Sequence, residues 1–114
     1  DIFPNLRVAF IEVSAQWVPY AIHDLSTRFK RRGKELKRNL LRDNRIYVAC
    51  QTDDDLAYVF QYTGEDNIVI GTDYGHADTA SEIEALRKLK QDKKVSGRAI
   101  TKILDNNARA LYSL

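Results

Sequence analysis

Cysteine is almost absent from this chain. Cys50 stands alone among 114 residues, so no internal disulfide can form, and a reducing, cytoplasmic setting is expected. It lies in the apolar run 46–50 and reads as a buried small hydrophobe rather than a nucleophile. Methionine is missing altogether, the initiator included, as in a processed, cleaved or partial chain. No window approaches the roughly 18 uninterrupted apolar residues that a membrane span needs. Asp1 and the early Pro4 leave nothing that resembles a signal peptide. Glycine and proline are scarce, with five and two copies, and no repeat, low-complexity tract or linker emerges. Charge of one sign is lacking too: 18 basic residues against 16 acidic give +2, too little to demand a polyanionic partner. What remains is the composition of an ordinary soluble globular protein, and residues 1–114 read as one segment, a single domain at most.

Short apolar runs alternate with longer amphipathic ones. Residues 6–13 form a strand candidate, followed by a helix over 18–41 that Gly33 can break. Residues 45–51 give a second strand. Thr52 or Asp53 then caps a helix carrying Leu56, Val59 and Phe60, which Gly64 ends. Residues 68–72 are the third strand. Asp78 or Thr79 caps a helix to about Lys90, with Ile83, Leu86 and Leu89 on one face. Ser96 and Gly97 start a last helix whose stripe is Ile100, Ile103, Leu104, Ala108 and Leu111. The order βα-βα-βα-α predicts an α/β chain with a parallel sheet. Three such strands with helices mostly on one side leave a sheet face bare, which calls for more strands or a partner chain.

The richest stretch runs Ile68-Val69-Ile70-Gly71-Thr72-Asp73-Tyr74-Gly75-His76-Ala77-Asp78. In α/β proteins, functional groups gather where buried parallel strands end at their carboxyl side. Asp73 lies at that point, and a hard anionic oxygen there suits a divalent metal. The competing reading is that Asp73 and Asp78 only cap the next helix. His23, inside the first amphipathic helix, reads as a surface or packing histidine. Between 28 and 42 lie eight basic residues opposed only by Glu35, a cluster that can grip phosphate. Leu25, Phe29 and Leu36 supply a packing stripe there, so a solvated outer helix is expected and nucleic acid is not. A non-catalytic nucleic-acid or protein interaction module using helix 28–42 is the rival from another class.

Four motifs occur in order: Pro4-Asn5-Leu6-Arg7-Val8-Ala9-Phe10-Ile11-Glu12, Trp17-Val18-Pro19, Ile70 to Asp78, and Ile103-Leu104-Asp105-Asn106-Asn107-Ala108-Arg109-Ala110-Leu111-Tyr112. Together they resemble the amidohydrolase-related family of metal-dependent hydrolases and decarboxylases, the group containing aminocarboxymuconate-semialdehyde decarboxylase. The resemblance covers essentially the whole chain but only the C-terminal part of that family's (β/α)8 barrel. It implies barrel strands six, seven and eight plus the terminal helix, where a complete barrel takes about 250 residues. It implies that Asp73 binds a divalent metal, zinc for preference, or its activated water. Glu12 stands where many members carry a proton-transferring His, and a general base or a metal ligand is the role implied. The unperturbed pKa of Glu, about 4.3 against about 6.5 for His, speaks against a decarboxylase mechanism. Read without the family, Glu12 is a carboxylate paired with Arg or Lys or hydrogen-bonded to Trp17. His76, Tyr74 and Trp17 are the substrate-side candidates, with packing as the other reading for His76 and Trp17. Gly75 replaces the family's usual Pro and is expected to loosen the loop. The family's histidines on its first and fifth strands have no counterpart here. The implied activity is therefore hydrolysis of a C–N or C–O bond in a small molecule, with non-oxidative decarboxylation of a small carboxylic acid as the alternative. Either needs the rest of the barrel, as a second chain or otherwise, and a homo-oligomer would also cover the sheet.

Overall fold

The computed structural model of the chain describes residues 2–36, 39–77 and 82–114. Strands β1 (Val8–Phe10), β2 (Ile46–Cys50) and β3 (Ile68–Ile70) form one sheet in the order β1-β2-β3. Both pairings are parallel, with Val8 opposite Ile46 and Val48 opposite Ile68. Alternation along β2 sends Ile46, Val48 and Cys50 toward the helices, and Tyr47 and Ala49 to the other face. The helix side holds the main core, in which Val48, Val59 and Ile68 are completely buried and Ile103 nearly so. Each such side chain contributes about 1.5–3 kcal/mol on leaving water. Among the described residues, the opposite face carries only a small cluster of Tyr47, Ala49 and Val69 with Ala9 and Leu111.

The helices follow local chemistry, with several corrections to the sequence expectations. The segment 18–41 is not one helix: α1 (Val18–Arg31) ends ahead of Gly33, which takes φ +66°, and a short α2 (Leu40–Asp43) follows. The cap of α3 (Leu56–Thr63) is Asp55, not Thr52 or Asp53, because its carboxylate accepts from the Tyr58 N–H at 3.1 Å. Gly64 ends α3 as expected, at φ +66°. Helix α4 (Ala85–Gln91) packs through Ala85 and Leu89, one turn apart and both buried. Ile83 precedes it and is 66% exposed, and Leu86 is 44% exposed, so the expected three-residue face is reduced to Leu89. The expected cap at Asp78 or Thr79 lies outside the described residues.

Ser96 caps α5 (Gly97–Thr101), its Oγ accepting from the Ala99 N–H at 3.1 Å. The last helix then widens into a π stretch (Lys102–Asn106) before α6 (Asn107–Tyr112). Asn107 is buried, and its Nδ2 donates to the carbonyls of Glu65 and Ile68 at 2.7 Å each, tying this helix to the start of β3.

The expected first strand, 6–13, shrinks to three residues. Glu12 and Ser14 adopt left-handed backbone, at φ 60° and 58°, which ends the ladder. Around it Val8, Phe10, Ile11 and Val13 are each at least 40% exposed, so the β1 edge is apolar and bare. Arg28 forms an i,i+4 pair with Asp24 at 2.7 Å, Arg31 and Arg32 are exposed, and Leu25, Phe29 and Leu36 are half-buried. Among the described residues, no helix is long and apolar enough to cross a membrane.

Candidate functional site

Because the strands are parallel, their carboxyl ends open on one rim of the sheet. Glu12 lies two residues past β1 and Asp73 three past β3, with the end of β2 between them. Asp73, like Glu12, is left-handed, at φ 51°. Asp tolerates that conformation through local hydrogen bonding, but a long side chain such as Glu rarely adopts it. Such strain costs about 1–3 kcal/mol and persists where the surroundings over-determine it, commonly at functional sites.

The loop after Asp73 doubles back. The His76 N–H donates to the Asp73 carbonyl at 3.2 Å across a turn in which Gly75 takes φ +97°. Proline, locked near −65°, cannot adopt that angle. Gly75 therefore does more than loosen the loop: it permits a turn that returns the imidazole to the carboxylate. His76 Nδ1 lies 2.9 Å from Asp73 Oδ1 and 3.8 Å from Glu12 Oε1. One donor atom from each of Glu12, Asp73 and His76 falls within 4.8 Å of the others. The Asp73 side chain is 13% exposed, whereas those of Glu12 and His76 are 52% and 58% exposed. The carboxylates face a cavity of about 110 Å³ walled by Ile11, Ala49, Cys50 and Gln51.

This donor set fits a divalent cation. Bonds of about 2.0–2.2 Å to carboxylate oxygen and imidazole nitrogen put tetrahedral donors roughly 3.4 Å apart. The two separations from His76, 2.9 and 3.8 Å, straddle that value, and the third, between the carboxylates, is no more than 4.8 Å. Without a cation, the same geometry is a hydrogen bond between imidazole and Asp73.

The other expected site residues lie elsewhere. Tyr74 is 83% exposed and does not line the cavity. Trp17 also stands off it: its ring meets Phe10 edge-on at 5.6 Å, and its Nε1–H donates to the Ser14 carbonyl at 2.9 Å. The tryptophan therefore anchors the loop after β1, and the hydrogen bond expected toward Glu12 goes to Ser14 instead. His23 is exposed on α1. Cys50 is buried as expected, and burial pushes its thiol up to about 12. Gln51 escaped the sequence reading, although it directly follows β2 and the strand-end rule that picked Asp73 applies to it equally. Asp54 was missed as well. It accepts from the nearby Gln51 N–H at 2.9 Å and, across some forty residues, from Ser14 Oγ and the Ala15 N–H, the latter at 2.8 Å; the two distant contacts leave no local signature.

Fold and site together define a mixed α/β chain of βα units, with a three-stranded parallel sheet and its acidic residues at the carboxyl rim. No family model and no curated protein matches the chain. Among solved structures, it is similar to an amidohydrolase from Mycobacterium avium subsp. paratuberculosis K-10, with 28% identity and a TM-score of 0.77. The match covers 99% of this chain but only 30% of that one, so the chain spans less than a third of its neighbour. The likeness supports a relation to the amidohydrolase class of hydrolases at that coarse level.

Proposed function

We propose that this chain supplies the sixth to eighth strands and terminal helix of a (β/α)8 barrel that hydrolyses a C–N or C–O bond in a small molecule. The observation that carries the reading is the convergence of Glu12, Asp73 and His76 within 4.8 Å at the carboxyl rim of a parallel sheet. Active sites of such barrels occupy that face. A divalent cation, zinc in our reading, would supply Lewis acidity and lower the pKa of water if bound there. Asp73, the most enclosed of the three donors, would hold it, with Glu12 and His76 as the neighbouring donors.

The chain's own groups then divide the work. Asp73 would accept the proton that water loses on attack, and Glu12 would take that same proton on and deliver it to the leaving nitrogen or oxygen as the C–N or C–O bond breaks, returning both carboxylates to their starting state. Gln51 and the apolar wall of Ile11, Ala49 and Cys50 orient the substrate and exclude bulk water. Trp17 holds the loop that carries Glu12, and Tyr74, exposed on the loop that bears Asp73, stands outside the cavity. The bare apolar β1 edge and the sparse second face of the sheet are the surfaces that the remaining barrel, on the same or a second chain, would cover. The Asp73→Asn substitution tests this reading: hydrolysis by the assembled protein and its metal content should both fall by at least about 100-fold. Full activity with full metal content in that variant contradicts it.

A further inference from the structure

We infer that Asp54 is a positioning residue: its carboxylate bolts the loop after β1 to the end of β2 and so sets where Glu12 stands against Asp73 and His76. The inference rests on the cation-site reading above. One oxygen, Oδ2, accepts from the Ala15 N–H at 2.8 Å and from the Gln51 N–H at 2.9 Å, while Oδ1 accepts from Ser14 Oγ. Ala15 is completely buried, and Gln51 walls the cavity that Glu12 and Asp73 face. The clamp therefore spans two strand ends at the site itself. A second tie runs parallel to it, from the Asp55 N–H to Gln16 Oε1 at 2.8 Å.

The clamp explains how a strained loop persists. Glu12 and Ser14 are both left-handed, with only Val13 between them. Non-glycine residues hold that conformation where neighbouring bonds over-determine it. Ser14 is fixed from three sides: its hydroxyl donates to Asp54, its Oγ accepts from the Gln16 N–H at 3.0 Å, and its carbonyl accepts from Trp17. Release of Asp54 frees the segment 12–15 to relax toward extended backbone, and the Glu12 carboxylate then swings off the rim.

The bonding pattern also distinguishes substitutions. In Asp54→Asn, the amide oxygen can occupy the Oδ2 place and keep both backbone N–H bonds, while the amide NH₂ donates to Ser14 Oγ, which can accept. The clamp survives without its charge. Asp54→Ala removes all of it.

The test titrates the assembled protein, including whatever barrel-completing polypeptide it carries, with Co(II) alone, follows its visible absorption, and measures amide hydrogen exchange in parallel. Asp54→Ala should speed exchange at residues 12–15 and 51 by about tenfold or more while leaving Val48 and Ile68 protected. It should also weaken Co(II) binding by about tenfold and shift the absorption bands, with Asp54→Asn staying near the parent on both counts. Unchanged exchange in Asp54→Ala overturns the clamp. Faster exchange with unaltered Co(II) affinity and spectrum overturns its link to the site, as does an Asp54→Asn variant that behaves like Asp54→Ala. A parent protein that binds no Co(II) even with its barrel-completing polypeptide fails the cation-site reading and with it the link, leaving exchange to decide the clamp alone.

Discussion

At the scale of single residues, Glu12 combines two features that normally exclude each other. It has a long side chain and left-handed backbone, and its carboxylate stands 3.8 Å from His76. If the strain is kept for the sake of that carboxylate, removing the side chain should help the fold. We expect Glu12→Gly to leave urea-unfolding stability unchanged or raised by up to about 1 kcal/mol, while cation binding weakens. A loss of more than about 1 kcal/mol would show the side chain to be a structural prop. Cys50 gives a pH-dependent expectation. Burial raises its thiol from 9.0 to about 12, so the folded state disfavours the thiolate. The stabilising term is fully present below pH 9.0 and is lost as pH climbs from there to about 12. A thiol reagent at about pH 8 should leave folded Cys50 unmodified and label it fully in urea. Rapid labelling of the folded chain would contradict the burial.

At the scale of elements, the strands were legible wherever β-branched residues ran together. Residues 45–51 and 68–72 became Ile46–Cys50 and Ile68–Ile70, trimmed only at their ends. The first strand was overread because Leu6, Ile11 and Val13 continue the apolar pattern, and the pattern does not register that φ turns positive at Glu12. Glycine was more reliable: Gly33 and Gly64 both end helices, each at φ +66°. Gly64 also has ψ −171°, a region essentially closed to other residues, and an added Cβ would meet nothing within 4 Å. Gly64→Ala should therefore cost about 1–3 kcal/mol by backbone strain alone, read as a lower urea midpoint. A neutral outcome would mean that the α3–β3 connection has another conformation available. The π stretch at Lys102–Asn106 was not legible, since it keeps an apolar stripe that an uninterrupted α-helix shows equally well.

At the scale of the whole molecule, the sequence disclosed the imbalance that the structure displays. Three parallel strands have one well-packed face and one nearly empty face, and the edge strand exposes Val8, Phe10, Ile11 and Val13. Asp73 was nominated by its place after an apolar run and Glu12 through the family resemblance, and the sheet brings their distant segments together. The clamp through Asp54 was not, because an Asp in an acidic triplet looks like any helix-start residue until the loop after β1 folds onto it. The match to 30% of a larger amidohydrolase agrees with a chain that forms one part of a barrel. The most direct measurement is a native mass spectrum of the purified protein and of its Asp73→Asn variant, gentle enough to retain metals and partner polypeptides. The account expects one divalent ion on the parent, carried with the barrel-completing polypeptide, and none on the variant. A bare, metal-free 13.1 kDa monomer as the parent, or an ion retained by Asp73→Asn, would contradict it.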